Sequence, residues 1–247
     1  MSLLKSSQDI AKLRIAGKHL AAVLKLAHEA AQPGVSLIEL DTKIEAWIRE
    51  RGCKPLFLGH EGFPNSSCLS VNEEVVHGIP DERLLVEGDL LGIDMGLWLE
   101  NVCVDSAITV GVGKISQEAA SLLADTKEAL AAGVAAIKPF RTRVGAISHA
   151  VQEVAEARNR GIVRSLTGHG VGHKLWEAPD VPNFGRPGDG MQLRPGMVLA
   201  IEPMLTTGAG EVYTDIDGWT VVTVDKSLSA QFEHTIVITQ RGAEILV

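Results

Sequence analysis

Several things are scarce in this 247-residue sequence, and each scarcity closes off a class of explanation. There are three cysteines, Cys53, Cys68 and Cys103, with no Cys-x-x-Cys spacing, so neither a disulfide framework nor a thiolate metal site is expected. The longest apolar runs, such as Ile93–Leu99 and Met197–Ile201, are too short or too interrupted to span a bilayer. Positive charge is in deficit: 23 Lys and Arg face 31 Asp and Glu, a net charge of −8 with no basic cluster. Nucleic acid and anionic membranes are therefore poor partners. The segment Met1–Asp9 lacks the apolar core of a secretory signal, so the cytoplasm is the expected compartment. No Pro/Ser/Gly-rich linker interrupts the chain, and 45% apolar with 22% charged residues is an ordinary globular balance. Residues 1–247 thus read as a single domain. Aromatics make up 4%, which makes the position of each one informative.

What is present comes in one order, twice. Ser7–Ala31 carries Ile10, Leu13, Ala16, Leu20, Val23, Leu24 and Ala27 near a 3.6-residue period, and Pro33-Gly34 ends that helix. Ser36-Leu-Ile-Glu39 reads as a capping box opening a second helix, which ends at Gly52. After a turn-rich stretch, Asp89–Leu97 and Val102–Val110 read as a hairpin. The second half repeats this with helices over Ser116–Ala136 and Thr142–Arg158, a loop-rich stretch, and strands at Gly196–Glu202, Gly218–Val224 and Gln231–Thr239. Gly88-Asp-Leu-Leu-Gly-Ile-Asp94 matches Gly196-Met-Val-Leu-Ala-Ile-Glu202, and Asp105-Ser-Ala-Ile-Thr-Val110 matches Glu233-His-Thr-Ile-Val-Ile238. This predicts an internal duplication, with halves of about 1–114 and 115–247 related by a pseudo-twofold axis and sharing one core and one sheet.

The duplicated positions are acids. Side chains alternate along a strand, so Asp94 shares its face with Gly92 and Gly96, while Leu91, Ile93, Met95 and Leu97 take the other. Glycine inside a strand often marks the close approach of something else, here read as a metal with its substrate. A hairpin centred near Leu99-Glu100 would set Asp94 directly opposite Asp105. Facing like charges are unfavourable unless neutralised. The duplication adds Glu202 and Glu233, and four carboxylates in a partly buried cleft call for divalent cations. Thr167-Gly-His-Gly-Val-Gly172 offers His169 from a glycine-bracketed turn. Carboxylates with a neutral imidazole suit Mn, Fe, Co or Zn, and a two-metal site activates water and polarises a carbonyl. Any one of these acids alone would read as a solvated edge residue, and His169 alone as a hydrogen-bonded loop histidine. The duplicated set points to metal.

These residues carry a resemblance. Ser70-Val-Asn-Glu-Glu-Val-Val-His-Gly-Ile-Pro80, Gly92-Ile-Asp94 with Asp105, Gly168-His-Gly-Val-Gly172, Met197-Val-Leu-Ala-Ile-Glu-Pro203 and Ser227-Leu-Ser-Ala-Gln-Phe-Glu-His-Thr-Ile236 together resemble the type I methionine aminopeptidases over nearly the whole chain. The resemblance implies an α+β pita-bread fold around a curved antiparallel sheet. It also implies two divalent ions held by Asp94, Asp105, His169, Glu202 and Glu233, with Asp105 and Glu233 bridging. The implied activity is hydrolysis of N-terminal methionine from peptides and nascent proteins by a cytoplasmic monomer near the ribosome. It places His77 at the scissile amide, and Phe63, Cys68 and Trp219 around the methionine side chain; ordinary core packing is the alternative for those three.

The sequence also departs from the family pattern. In Gly172-His-Lys-Leu-Trp-Glu-Ala-Pro179, Trp176 fills the slot of a family histidine near the substrate carbonyl. An indole offers one N–H donor and no proton-transfer capacity. His173 is the neighbouring imidazole that could compensate. His60 and Leu175 stand where the family carries pocket aromatics, and Val104 where a small residue is common. Glu202 is the expected proton shuttle. Two other readings are an Xaa-Pro aminopeptidase of the same fold, whose members generally carry a further N-terminal domain, and a non-catalytic binding module of that fold.

Overall fold

The structure of the protein, a computed structural model, describes residues 3–247. The first helix, α1 (Ser7–Ala30), opens on a complete capping box: Ser6 Oγ accepts from Asp9 N, and the Asp9 carboxylate accepts from Ser6 N. The second, α2 (Leu37–Glu50), shows only half of the predicted box. Ser36 Oγ accepts from Glu39 N, but the Glu39 carboxylate turns to Lys43 Nζ at 2.7 Å, an i,i+4 pair in the following turn.

Short strands β1 (Lys54–Pro55), β2 (Cys68–Val71) and β3 (Glu74–Val76) lead to the long antiparallel pair β4 (Leu90–Leu99) and β5 (Val102–Gly111). The second half opens with α3 (Gln117–Ala135), capped by Ser116 Oγ, and α4 (Val144–Ala157). It continues with β6 (Gly161–Ile162), β7 (Thr167–Gly170), β8 (Glu177–Pro182), β9 (Val198–Ile201), β10 (Met204–Thr206), β11 (Val212–Thr214) and β12 (Val221–Thr223). The last strands are β13 (Ser229–Gln231), β14 (His234–Ile238) and β15 (Ala243–Ile245). No helix among the described residues is long and apolar enough to cross a membrane.

The main core lies between the helices and the odd-numbered face of β4. Leu13, Leu20 and Val23 of α1 and Leu40, Ile44 and Ile48 of α2 are fully buried against Leu91, Ile93, Met95 and Leu97, and Val198, Ala200 and Val237 of the second half join the same cluster. Burying a side chain of this size stabilises by about 1.5–3 kcal/mol, so this face fixes which way β4 lies and turns Asp94 away from the helices.

The predicted hairpin forms with its turn one residue later than expected. Glu100-Asn101 make the connection, Glu100 at φ 53°, so Asp94 pairs with Ala107 and Asp105 with Gly96. The two acids share a face, as predicted, but are diagonal rather than opposite. One glycine of that face also has another cause: a Cβ on Gly96 would lie 2.4 Å from Leu56 Cδ2, so its absence admits the Leu56 side chain.

The predicted single sheet is in fact several. A four-stranded sheet carries β1, β2, β4 and β5, and a five-stranded one has the order β15-β14-β9-β7-β8. Hydroxyls stitch the four-stranded sheet to the second half, at Thr235 of the five-stranded sheet and at Gln231 of β13, which belongs to a three-stranded sheet of order β13-β10-β6. Thr235 Oγ1 donates to Asp105 O at 2.6 Å and accepts from Asp105 N at 3.0 Å, Ser106 Oγ donates to Glu233 O, and Thr109 Oγ1 donates to Gln231 O while accepting from Gln231 N. A backbone bond, Glu233 N to Ala107 O at 2.8 Å, crosses the same seam. There the predicted strand Gln231–Thr239 breaks at Phe232-Glu233 into β13 and β14, and the predicted strand Gly218–Val224 contracts to β12.

Candidate metal centre

The ten residues that the sequence singles out for metal, catalysis or substrate all line one cavity of about 490 Å³. From the first half come Phe63, Cys68, His77, Asp94 and Asp105; from the second come His169, Trp176, Glu202, Trp219 and Glu233. That volume is in the range of small-molecule sites.

Each donor is placed by its strand. Asp94 stands in mid-β4 beside Cys68 of β2, its register partner. Glu202 and Glu233 follow and precede the β9–β14 ladder, one residue beyond its His234–Ile201 end. His169 lies in β7, between β8 and β9, and not in the predicted turn. Its flanking glycines serve close strand packing: a Cβ on Gly168 would meet Ala200 O at 2.4 Å, and one on Gly170 would meet Ala178 O at 2.3 Å.

One donor atom from each of Asp105, His169 and Glu233 lies within 4.8 Å of the other two. His169 Nε2 is 3.5 Å from Glu202 Oε1. His169 Nδ1 lies 2.9 Å from Gly170 O, so that nitrogen carries the proton and Nε2 is left as the lone-pair atom facing the acids. Burial pushes the His169 pKa down, which favours this neutral form.

The carboxylates go the other way. Burial, then repulsion from neighbouring acids, holds Asp94, Glu202 and Glu233 well above the usual carboxylate range, and burial pushes Asp105 up to about 7. Asp94 Oδ1, Asp105 Oδ1 and Glu233 Oε1 are buried without a hydrogen-bond partner among the described residues. A buried unpaired acceptor costs about 1–3 kcal/mol. Three of them, with a neutral imidazole, in one cavity are the donor set of a divalent cation, and the residues present fit one.

The sequence reading missed Gln231. Its Nε2 donates to Glu202 Oε2 at 3.0 Å, and it also hydrogen-bonds the Asp94 side chain, so one amide orients an acid from each half. Its place two residues before Glu233 in the predicted strand Gln231–Thr239, on the same face, was the available signal. His173, the expected compensating imidazole, is turned elsewhere: its Nε2 is 3.3 Å from Asp9 Oδ2 and its backbone N donates to Glu177.

Aromatic pairs flank the cavity. Phe63 and Trp219 meet edge to face, centroids 5.2 Å apart, and His60 and Trp176 do so at 5.0 Å. Cys68 is buried in the wall, and burial with the nearby Asp94 raises its thiol pKa, so it is a neutral, apolar lining atom and not a nucleophile. His77 holds a left-handed backbone at φ 58°, and burial pushes its pKa down.

Residues 11–240 match the model of metallopeptidase family M24. The chain is 45% identical over 247 residues to a methionine aminopeptidase of Clostridium perfringens, spanning 100% of this chain and 98% of the relative. It is 45% identical to methionine aminopeptidase 1 of Bacillus subtilis, over 100% of this chain and 99% of that one. The crystal structure of methionine aminopeptidase from Thermotoga maritima superposes with a TM-score of 0.96 at 41% identity, covering 98% of each chain. The prolidase of Pyrococcus furiosus, at 22% identity and a TM-score of 0.81, shares the fold. The chain belongs to metallopeptidase family M24, among its methionine aminopeptidases, and its architecture is the pita-bread fold.

Proposed function

We propose that this protein removes the N-terminal methionine from peptides and nascent chains by hydrolysis. The observation that carries the reading is the meeting of three orphaned carboxylate oxygens with a neutral imidazole in a cavity whose other wall is apolar. We further infer two divalent ions of the Mn, Fe, Co or Zn kind. Asp94, Asp105, His169, Glu202 and Glu233 would hold them. Divalent ions held there supply an acidified water as nucleophile and a Lewis acid for the scissile carbonyl.

The chain's own residues do the rest. The buried acids favour a cationic or neutral amine at the peptide's end over a carboxylate, which suits an exopeptidase acting at amino termini. Phe63, Cys68 and Trp219 form a close apolar wall suited to a thioether side chain. His77 presents a neutral imidazole to the scissile amide. Glu202, with Oε2 held by Gln231, is left with Oε1 to accept a proton from the nucleophile and return it to the leaving amine. General acid–base help of this kind is worth about 10²–10⁴-fold. The wider setting of the proposal, a cytoplasmic monomer acting close to the ribosome, rests on the family alone.

The test is cleavage of Met-Ala-Ser against Ala-Pro-Ala by metal-free protein supplied separately with Mn, Co, Fe and Zn. Release of methionine with at least one metal is expected. Preferential cleavage of Ala-Pro-Ala would favour the Xaa-Pro reading, and metal binding without cleavage of either would favour a binding module.

A further inference from the structure

His60 is used by none of the chemistry above, yet it lines the same cavity. Its Nε2 is buried and has no hydrogen-bond partner among the described residues. Few native polar atoms are left so, and each stands for an unmade bond of about 1–3 kcal/mol. Asp94 Oδ1, Asp105 Oδ1 and Glu233 Oε1 share that condition, and their three residues line the same cavity.

The loop that carries His60 turns through the left-handed region, with strain at one residue, Glu61. Gly59, Glu61 and Gly62 have φ of 79°, 48° and 93°. For Glu61 the left-handed region costs about 1–2 kcal/mol. The loop is closed on itself by His60 N to Phe57 O, Phe63 N to His60 O and Gly59 N to Phe63 O, each at 2.8 Å. Strain of this sort persists where the surroundings impose it, often at ligand sites. The edge contact with Trp176, interplanar angle 76°, then fixes the plane of the imidazole.

The two aromatic pairs also mark direction. Phe63 and Cys68 are buried at 4% exposure, whereas Trp176 is 45% exposed. His60, against Trp176, therefore stands towards the mouth. A peptide with its first side chain against Phe63 and Cys68 leaves along that side, where its backbone offers both N–H and C=O groups.

We propose that His60 is a substrate-contacting residue whose Nε2 hydrogen-bonds the peptide backbone beyond the scissile bond. The inference rests on the aminopeptidase reading for the direction of the bound peptide. Because an imidazole nitrogen donates in one tautomer and accepts in the other, either backbone group satisfies it.

The test measures binding as well as turnover. Calorimetric affinities of metal-loaded protein are compared for Met-Ala-Ser with a reduced CH2–NH scissile bond, which cannot be hydrolysed, and for methioninol, which ends before the downstream backbone. His60→Phe keeps the ring and its edge contact but removes the nitrogen. It is expected to weaken the tripeptide analogue about tenfold, the worth of one hydrogen bond, and to leave methioninol within about twofold. His60→Gln, which restores a side-chain donor and acceptor, is expected to recover most of the loss. Equal tripeptide affinity in wild type and His60→Phe overturns the proposal. So does an equal loss for both ligands, which would make His60 a support of the pocket wall. Wild type that binds the analogue but fails to cleave Met-Ala-Ser removes the activity while the His60 comparison still decides this inference; wild type that binds neither ligand removes both.

Discussion

Asp94 and Asp105 are diagonal neighbours on one face of the β4–β5 ladder, Asp94 across from Ala107 and Asp105 across from Gly96. Diagonal neighbours stand about 7–8 Å apart, somewhat less at Cβ, against about 5 Å for directly opposed ones. The offset eases repulsion between the two carboxylates and opens the space between them to a cation. It follows from the two-residue turn Glu100-Asn101, so the geometry of the centre is set at the far end of the hairpin.

The raised carboxylates fix the sign of a pH effect. Asp105, ordinarily at 3.8, titrates at about 7 in the folded chain, and Asp94, Glu202 and Glu233 are raised as well. Between the unfolded and folded values the native state binds more protons than the unfolded one, so stability falls as pH rises. Metal-free protein is therefore expected to melt at a lower temperature at about pH 8 than at about pH 6. Bound cations favour the ionised acids and reverse the sign: loaded protein loses stability as pH falls. Melting curves of both forms across this range check it, and parallel profiles would refute the shared ion site.

On the proposed reading Glu202 has two roles at once, metal donor beside His169 and proton carrier. Glu202→Ala is expected to lower both the metal content, measured by elemental analysis after gel filtration, and turnover on Met-Ala-Ser at saturating added metal, the latter by about 10²–10⁴-fold. Undiminished hydrolysis by a variant with depleted metal would end its proton-carrying role.

Much of this site was legible because its chemistry rides on local pattern. Alternation along β4 put Asp94 opposite the greasy face, and the repeat of Gly-to-acid spacing brought in Glu202. What the pattern could not carry was long-range. The register of the hairpin depends on turn geometry, the glycines beside Asp94 and His169 answer to neighbours such as Leu56 and Ala200, and the side-chain seam between sheets involves residues more than 120 apart. Gln231 and the true partner of His173 were hidden for the same reason: contact with Glu202 or Asp9 exists only once the halves have met.

That seam gives a direct test of how the halves are held. Thr235 is fully buried, and its hydroxyl serves both the N–H and the C=O of Asp105. Thr235→Val keeps the shape and strands two backbone groups, each worth about 1–3 kcal/mol. Chemical denaturation should show a loss of about 2–4 kcal/mol, at the low end of the summed range because water can relax into the gap. Metal affinity should fall with it, since Asp105 is then less well placed. A change under about 0.5 kcal/mol, the level of an ordinary surface substitution, would show that the seam is held by packing alone.

Trp176 sits where an imidazole would have an acceptor and a proton to offer. It is half-exposed and meets His60 edge to face, so a smaller ring fits without disturbing the core. Trp176→His is expected to raise kcat/KM on Met-Ala-Ser. An unchanged or lower value would show that this loop is built for a different peptide.

The segment before α1 reaches into the same loop. Lys5 is buried, and its Nζ meets Glu177 Oε2 at 2.5 Å, with side-chain exposures of 1% and 10%. Glu177 Oε1 also accepts from the backbone N–H groups of His173 and Lys174, so the ion pair pins the turn that presents Leu175 and Trp176 to the cavity. Burial raises the Glu177 pKa, but the bonds from Lys5, His173 and Lys174 outweigh it and hold the carboxyl below the usual range. Removing one member of a buried pair leaves the other charged and unpaired, at about 3–5 kcal/mol. For a chain of this size that is a drop in Tm of roughly 6–20 °C for Lys5→Met. The double variant Lys5→Met, Glu177→Gln leaves no bare charge and keeps an acceptor for the two N–H groups, so it should melt above Lys5→Met alone. Additive losses in that cycle would mean that the two side chains stabilise the fold independently, and that the amino-terminal segment does not hold the cavity's rim through this contact.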